Sequence, residues 1–103
     1  MSDPDTARNE VGSSLLFENE RVRVWDLRLA AGESTGLHRH ETDYLYVVIG
    51  EGTLQRGDAD GSRGEARTMT DGEVHFRTID GDDVHEAINV GESDWRNIVV
   101  ELK

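Results

Sequence analysis

Glycine-containing turns recur roughly every ten residues along this chain and divide it into short segments. Between the turns the residues are either apolar in a run or alternate between apolar and polar, which is typical of β-strands. No window keeps the period of an amphipathic helix. The pattern predicts an antiparallel sandwich or barrel. The turns are Ala31-Gly32, Gly50-Glu51-Gly52, Gly57–Gly64, Asp71-Gly72, Asp80-Gly81 and Gly91-Glu92.

One predicted strand, Arg21–Leu29, changes its apolar phase part-way along. Val22 and Val24 share one parity, whereas Trp25 and Leu27 lie on the other. A β-bulge or burial of both faces would explain the change. Burial of both faces would place one face inside the barrel and the other against a second subunit, so we expect a homodimer. The predicted strands are Arg21–Leu29, Tyr44–Ile49, Thr53–Arg56, Ala66–Met69, Val74–Arg77, His85–Val90 and Asn97–Leu102.

The length of 103 residues fits one domain with its own core. Residues 1–13 are polar and have little to bury, so we expect a flexible N-terminal arm there, or an edge strand supplied by a partner chain. Residues 14–103 form the predicted barrel domain. The chain has no cysteine, which excludes structural disulfides, thiol nucleophiles and thiolate-bound metals. Any metal must therefore have nitrogen and oxygen ligands.

The chain is strongly acidic, with 22 Asp and Glu residues against 11 Lys and Arg residues and a formal net charge of −11. Nucleic acids and anionic lipids attract positive charge, so neither is an expected partner. No continuous apolar stretch approaches the length of a signal peptide or a membrane span. We therefore expect a soluble cytoplasmic protein that binds no nucleic acid and no membrane.

Two histidines are separated by one residue in the run His38-Arg39-His40, at the start of a strand-like segment. Residues two apart on a strand project to the same face, so both imidazoles can meet one ion. On a solvent-facing strand the same pair would be surface residues without a functional role. The surrounding sequence distinguishes the two cases. Gly32 precedes the run, acidic residues follow at positions 41 and 43, and His85 is followed four residues on by Asn89.

This arrangement resembles the two-motif signature of the cupin superfamily. The first motif extends from Gly32 to Gly50, and the second from Gly72 to Asn89, two residues longer than the family pattern and without its proline. The resemblance covers about residues 15–103 and implies an all-β, single-domain jelly-roll barrel of two antiparallel sheets. Three segments are also similar to the small cupins called β-alanine degradation proteins: Phe17–Trp25, Gly36–Tyr44 and Val100–Lys103.

The cupin resemblance implies a divalent metal held by His38, His40 and His85. The fourth ligand is open: the family spacing counted back from the following glycine gives Asp43, and counted forward from His40 gives Tyr44. We prefer Asp43, because a carboxylate offsets the charge of a divalent ion in a dry cavity better than a neutral phenol does. Such a set suits iron, manganese, nickel, cobalt, copper or zinc and leaves one or two coordination positions open.

Three residues are candidates for a catalytic role: His75, Tyr44 and Arg77. His75 is either a hydrogen-bonded core or rim histidine or a general acid–base residue that lines the pocket. Arg77, like Arg28, either binds a substrate carboxylate through its bidentate guanidinium or forms a surface ion pair with one of the many acidic residues.

The expected function is that of a metal-dependent enzyme, a dioxygenase or a lyase or isomerase, that acts on a small organic acid or carbonyl metabolite. If the protein is an enzyme of this kind, we expect an open metal position that faces a pocket of about 300 Å³ or more. The alternative is a non-catalytic module that binds a small molecule or a metal ion, because the cupin fold serves both purposes. A metal-free epimerase would need a His–Asp dyad, and the histidine cluster argues against it.

Overall fold

The structure, a computed structural model, describes residues 7–103 and contains nine strands and no helix within them. The all-β prediction is confirmed. Seven of the strands agree with the predicted ones to within two residues at each end. The pattern missed the first strand, because its five residues are all exposed and show no alternation. The strands are β1 (Ser14–Glu18), β2 (Val22–Leu29), β3 (His38–His40), β4 (Tyr44–Ile49), β5 (Gly52–Asp58), β6 (Arg67–Met69), β7 (Val74–Arg77), β8 (Asp83–Asn89) and β9 (Trp95–Leu102).

The strands form two antiparallel sheets. The five-stranded sheet has the order β1-β2-β9-β4-β7, and the four-stranded sheet has the order β3-β8-β5-β6. Most connections along the chain pass from one sheet to the other, which is the winding of a jelly roll. The predicted jelly-roll barrel is therefore confirmed.

The core lies between the two sheets. Burial alternates along β9, where Trp95, with 1% of its surface exposed, begins a series of inward-facing side chains at odd positions. Side chains on the neighbouring strands alternate between the core and the opposite face of the sheet in the same way. The buried core consists of Val11, Trp25, Leu27, Leu29, Tyr44, Val48, Met69, Trp95 and Val99.

The change of phase in β2 comes from burial of both of its faces. β2 pairs with β9 without interruption, so it contains no bulge there. The bulge lies in β1, between Leu15 and Phe17, where that strand pairs with β2. Trp25 is buried in the core, whereas Val22 and Val24 are half-buried on the opposite face.

The described part of the predicted arm lies against the barrel, and residues 1–6 are outside the described residues. The backbone of Arg8 hydrogen bonds to Leu37 at 3.1 Å and to Arg39 at 2.7 Å. Val11 is buried in the core, and Ser13 bonds to the backbone of β2. A single buried valine and these hydrogen bonds hold residues 7–13 on the domain, although their composition favours a loose arm.

No helix among residues 7–103 is long and apolar enough to cross a membrane. The cytoplasmic location and the absence of a nucleic-acid partner stay predictions.

The packing around Trp95 predicts that Gly52→Ala destabilises the domain. A Cβ at position 52 would lie 2.7 Å from Trp95 Cε3, so the buried indole would have to move. We expect the free energy of unfolding to fall by about 1–3 kcal/mol, measured by urea denaturation. Gly64→Ala is the control, since its nearest new contact is 3.8 Å. Equal stability of the two variants would contradict the packing described.

Candidate metal centre

Two neighbouring strands of the four-stranded sheet bring three histidines together. His38 and His40 project to the same face of β3. β3 pairs with β8 in a register that places His38 directly opposite His85. The ring centroids are 4.6 Å apart for His38 and His85 and 5.0 Å apart for each of the other two pairs. One ring nitrogen from each histidine lies within 4.8 Å of the others.

All three imidazoles are buried, with 3%, 2% and 8% of the surface exposed at His38, His40 and His85. Burial lowers the pKa of His38 to about 4 and that of His40 to about 3, and the charge of a neighbouring imidazole acts in the same direction. These two rings are therefore neutral at pH 7 and have a free electron pair. Buried neutral imidazoles around one point fit a divalent transition metal.

Hydrogen bonds at Nδ1 orient His38 and His85. His38 Nδ1 lies 3.2 Å from the Gly36 carbonyl and 3.1 Å from Thr35 Oγ1, whose own hydrogen is donated to Gly36 O. His38 Nδ1 therefore carries a hydrogen. His85 Nδ1 lies 2.9 Å from Asp83 Oδ2, which only accepts, and 3.3 Å from Arg56 Nη1, which only donates. The shorter contact, to the carboxylate, assigns the hydrogen to His85 Nδ1. In both rings Nε2 keeps the electron pair that a metal would use.

The carboxylate beside His85 is held in place by an arginine. Arg56 donates to both oxygens of Asp83, at 2.6 and 3.0 Å, and also to Asp58 at 2.8 Å. Hydrogen bonds from His85 and Arg56 hold the pKa of Asp83 well below its usual range. The ionised carboxylate keeps the hydrogen on His85 Nδ1 and fixes the orientation of that ring.

His40 is oriented by stacking. Its ring lies 3.8 Å from the Tyr44 ring, at an interplanar angle of 11°. His40 Nδ1 is buried and has no hydrogen-bond partner among the described residues. An unpaired buried nitrogen costs free energy, and a metal ion bound to this ring would offset that cost.

The structure places Tyr44, and not Asp43, beside the histidines. Neighbouring residues on a strand project to opposite faces, and Tyr44 at the start of β4 faces the interior. Asp43 Oδ1 instead accepts a hydrogen bond of 2.7 Å from the backbone N–H of Ile79. No carboxylate among residues 7–103 joins the three-histidine group, so this placement does not support Asp43 as the fourth ligand.

The histidines line a cavity of about 120 Å³ between the sheets. This volume is smaller than the pocket of about 300 Å³ that we expected for an enzyme. It favours a small ligand. The polar lining beyond the histidines includes Tyr44, Tyr46, Gln55, Arg56, Arg67 and Arg77.

Two of the three catalytic candidates, Tyr44 and Arg77, lie at this cavity. They are opposite each other in the pairing of β4 with β7. His75 is not among the described residues that line the cavity. Its ring stacks on Tyr46 at 5.0 Å, and its Nε2 lies 3.3 Å from Glu73 Oε1 without the alignment of a hydrogen bond.

The sequence matches the auxin binding protein family over residues 4–102. The chain belongs to this family of cupins. It is 28% identical over 102 residues to auxin-binding protein 1 of Arabidopsis thaliana, in an alignment that covers 94% of this chain and 50% of that protein. It therefore spans half the length of that relative.

A second curated relative has almost the same length. The chain is 29% identical over 98 residues to the β-alanine degradation protein BauB of Pseudomonas aeruginosa, covering 95% of this chain and 99% of that protein. A solved cupin domain from Bordetella pertussis Tohama I is 31% identical, with a TM-score of 0.75 and coverage of 87% of this chain and 90% of that one. The resemblance to cupins, including the β-alanine degradation proteins, is confirmed.

Two residues of the site were not among the sequence candidates. Asp83 lies two residues before His85 and so shares a face of β8, a spacing that could have indicated it. Arg56 reaches the site only because β5 pairs with β8, with Arg56 opposite Ala87. No local pattern indicates that pairing.

The burial of Tyr44 predicts that its phenol ionises late. Tyr46→Phe leaves Tyr44 as the only tyrosine of the chain. Because burial raises the pKa of Tyr44 to about 12, we expect about a tenth of it to be ionised at about pH 11, against about nine-tenths for an ordinary phenol. Tyrosinate absorbance of chelator-treated protein measures this fraction. The same variant unfolded in urea is the control, and ordinary titration of the folded variant would contradict the burial.

Proposed function

We propose that this protein binds a divalent metal ion through His38, His40 and His85 and acts on a small organic acid or carbonyl metabolite. The supporting observation is the convergence of three buried imidazoles on a small cavity. Iron, manganese, nickel, cobalt, copper and zinc all accept such donors and keep positions open for a ligand. Asp43 is left out of the proposed set because its carboxylate accepts from Ile79 N–H.

The residues around the proposed metal have separate roles. The bound metal supplies Lewis-acid or oxygen-activating chemistry. Asp83 keeps the hydrogen on Nδ1 of His85, so that Nε2 stays a donor atom. Tyr44, like any phenol, keeps its hydroxyl hydrogen at neutral pH, and burial raises its pKa further, so it can donate a hydrogen bond to a ligand. Arg77 contributes a permanent positive charge to the cavity.

A binding module without turnover is the second candidate function. One relative is named for binding auxin, and the other is named for the degradation of β-alanine. We place the enzyme first because Tyr44 and Arg77 border the same cavity as the histidines. Oxygen uptake and loss of substrate signals, with metal-loaded protein and a panel of thiols, diketones and short carboxylic acids, distinguish turnover from binding.

Elemental analysis of untagged protein tests the metal site. We expect about one divalent ion per chain in the parent after dialysis against a weak chelator, and its loss in His40→Ala and in His85→Ala. His75→Ala is the matched control and should keep the ion, because His75 lies outside the cluster. Circular dichroism checks that each variant is folded. Parent stoichiometry in both cluster variants, or no metal in reconstituted parent protein, would refute the proposal.

We also propose that two copies pair through the apolar outer face of the five-stranded sheet. This face includes two of the most exposed apolar side chains among residues 7–103, Val74 at 60% and Phe76 at 52%. Its buried acid, Asp26, is neutralised by Arg28 and Arg96 at 3.0 Å each. The apolar outer face consists of Phe17, Val22, Val24, Leu45, Val47, Ile49, Val74, Phe76, Ile98, Val100 and Leu102.

The size of the apolar outer face suits a second copy of the chain. At about 3.3 Å per residue and about 4.8 Å between strands, the 31 residues of the five strands cover roughly 500 Å² in projection. A stable interface buries about 800 Å² of accessible surface on each partner, and the accessible surface of side chains exceeds their projection. A self-complementary apolar face also removes exposed hydrophobic surface from both copies at once.

Replacing Phe76 by Asp tests this interface. We expect the parent to sediment at twice the chain mass at tens of micromolar concentration, and Phe76→Asp to sediment as a monomer, because two carboxylates would be buried without partners. Val90→Asp is the control, since Val90 is also exposed but lies outside the apolar outer face. A monomeric parent protein would refute the proposed dimer.

A further inference from the structure

Three arginines, Arg56, Arg67 and Arg77, border the cavity and remain exposed to solvent, in a chain with twice as many acidic as basic residues. Side chains opposite each other on paired strands share a face. Arg77 pairs with buried Tyr44, and Arg67 lies opposite Leu54, next to Arg56 in the lining of the cavity. Guanidinium groups that border a cavity attract a partner of opposite charge, and their exposure leaves them open to a ligand from solution.

Only one of the three arginines has such a partner. Arg56 forms ion pairs with Asp58 and Asp83. Among residues 7–103, no carboxylate lies within ion-pair distance of Arg67 or Arg77. Two positive charges at the cavity are therefore not neutralised by the protein itself.

The two unpaired guanidinium groups act on the same phenol. The positive charges of Arg77 and Arg67 lower the pKa of the Tyr46 phenol against the stronger opposing effect of its burial. The Tyr46 hydroxyl donates to Met69 Sδ at 3.6 Å. Arg67 and Arg77 thus approach Tyr46 from the edges of opposite sheets, β6 and β7.

A short path connects this pair of arginines to the histidines. Arg77 is opposite Tyr44, and Tyr44 stacks on His40. The arginines and the histidines line one cavity, whose volume is about 120 Å³. One small molecule can therefore reach both ends.

We propose that Arg67 and Arg77 form a carboxylate-binding site for one end of a short organic acid whose other oxygen-bearing end faces the three histidines. A carboxylate matches the fork geometry of guanidinium groups, and its single negative charge offsets part of their two positive charges. The identity of the second end rests on the proposed metal function, whereas the carboxylate site itself requires only the two arginines.

Two glutamates also border the cavity and oppose an anion. Glu86 accepts a hydrogen bond of 2.9 Å from the Ser34 hydroxyl, and Glu65 is exposed to solvent as Arg67 and Arg77 are, so solvent screens all three charges. Removal of either arginine would leave these acids dominant at the cavity. The affinity for a small acid should therefore depend steeply on Arg67 and Arg77.

Calorimetric titration with malonate tests the carboxylate site, with its neutral diamide as the uncharged counterpart. We expect Arg67→Gln and Arg77→Gln each to weaken malonate binding about tenfold to hundredfold, since each removes a charged hydrogen-bond donor. Arg63→Gln is the matched control: Arg63 is exposed nearby, contacts Gln55 at 3.5 Å and does not line the cavity. It should bind malonate within about twofold of the parent, and the diamide should not compete.

Metal analysis of the same samples separates this inference from the proposed function. Each variant is titrated both metal-loaded and chelator-treated, and circular dichroism confirms that it is folded. If both arginine variants contain metal and bind malonate as tightly as the parent protein, the carboxylate site is overturned and the metal centre stands. Arginine-dependent malonate binding by a protein that takes up no metal would support the carboxylate site and refute the proposed function.

Discussion

The pairing of β3 with β8 is the contact on which the candidate site depends. It places His38 opposite His85, and a shift by one residue would turn one strand's imidazoles to the other face of the sheet. Contacts at both ends of the short β3 strand support this register. The Thr35 hydroxyl accepts from the backbone of Ala87 at 3.0 Å, and Arg39 forms an ion pair with Asp82.

Burial of so many polar groups in a small domain is stable only because most of them are hydrogen bonded. Asn89, fully buried, donates to the Leu29 and Ser93 carbonyls and accepts from Gly91. The Asp83 carboxylate is shared between an imidazole and a guanidinium in the same way. Among residues 7–103 the exceptions are His40 Nδ1, His75 Nε2, Trp95 Nε1 and Asn97 Oδ1, and of these only His40 belongs to the three-histidine group.

The two faces of the five-stranded sheet have different roles. Its inward side chains, such as Tyr44 and Arg77, complete the cavity opposite the histidines. Its outward side chains, such as Phe76, form the apolar face proposed for dimerisation. Phe76 and Arg77 are consecutive residues of β7 and project to opposite faces of the sheet. A partner subunit bound to the outer face would therefore also restrain the strand that carries Arg77.

The sequence by itself determined the all-β class, seven of the strands and the three histidines, because turn residues, apolar periods and the His-x-His spacing are local features. It favoured Asp43 over Tyr44 as the fourth ligand, and it could not show which of the two faces inward, since β4 is apolar at both parities. Only the tertiary structure brought Arg56 to His85 and Arg67 near Arg77. Those contacts depend on strand register and on the packing of two sheets, which join residues far apart along the chain and leave no local pattern.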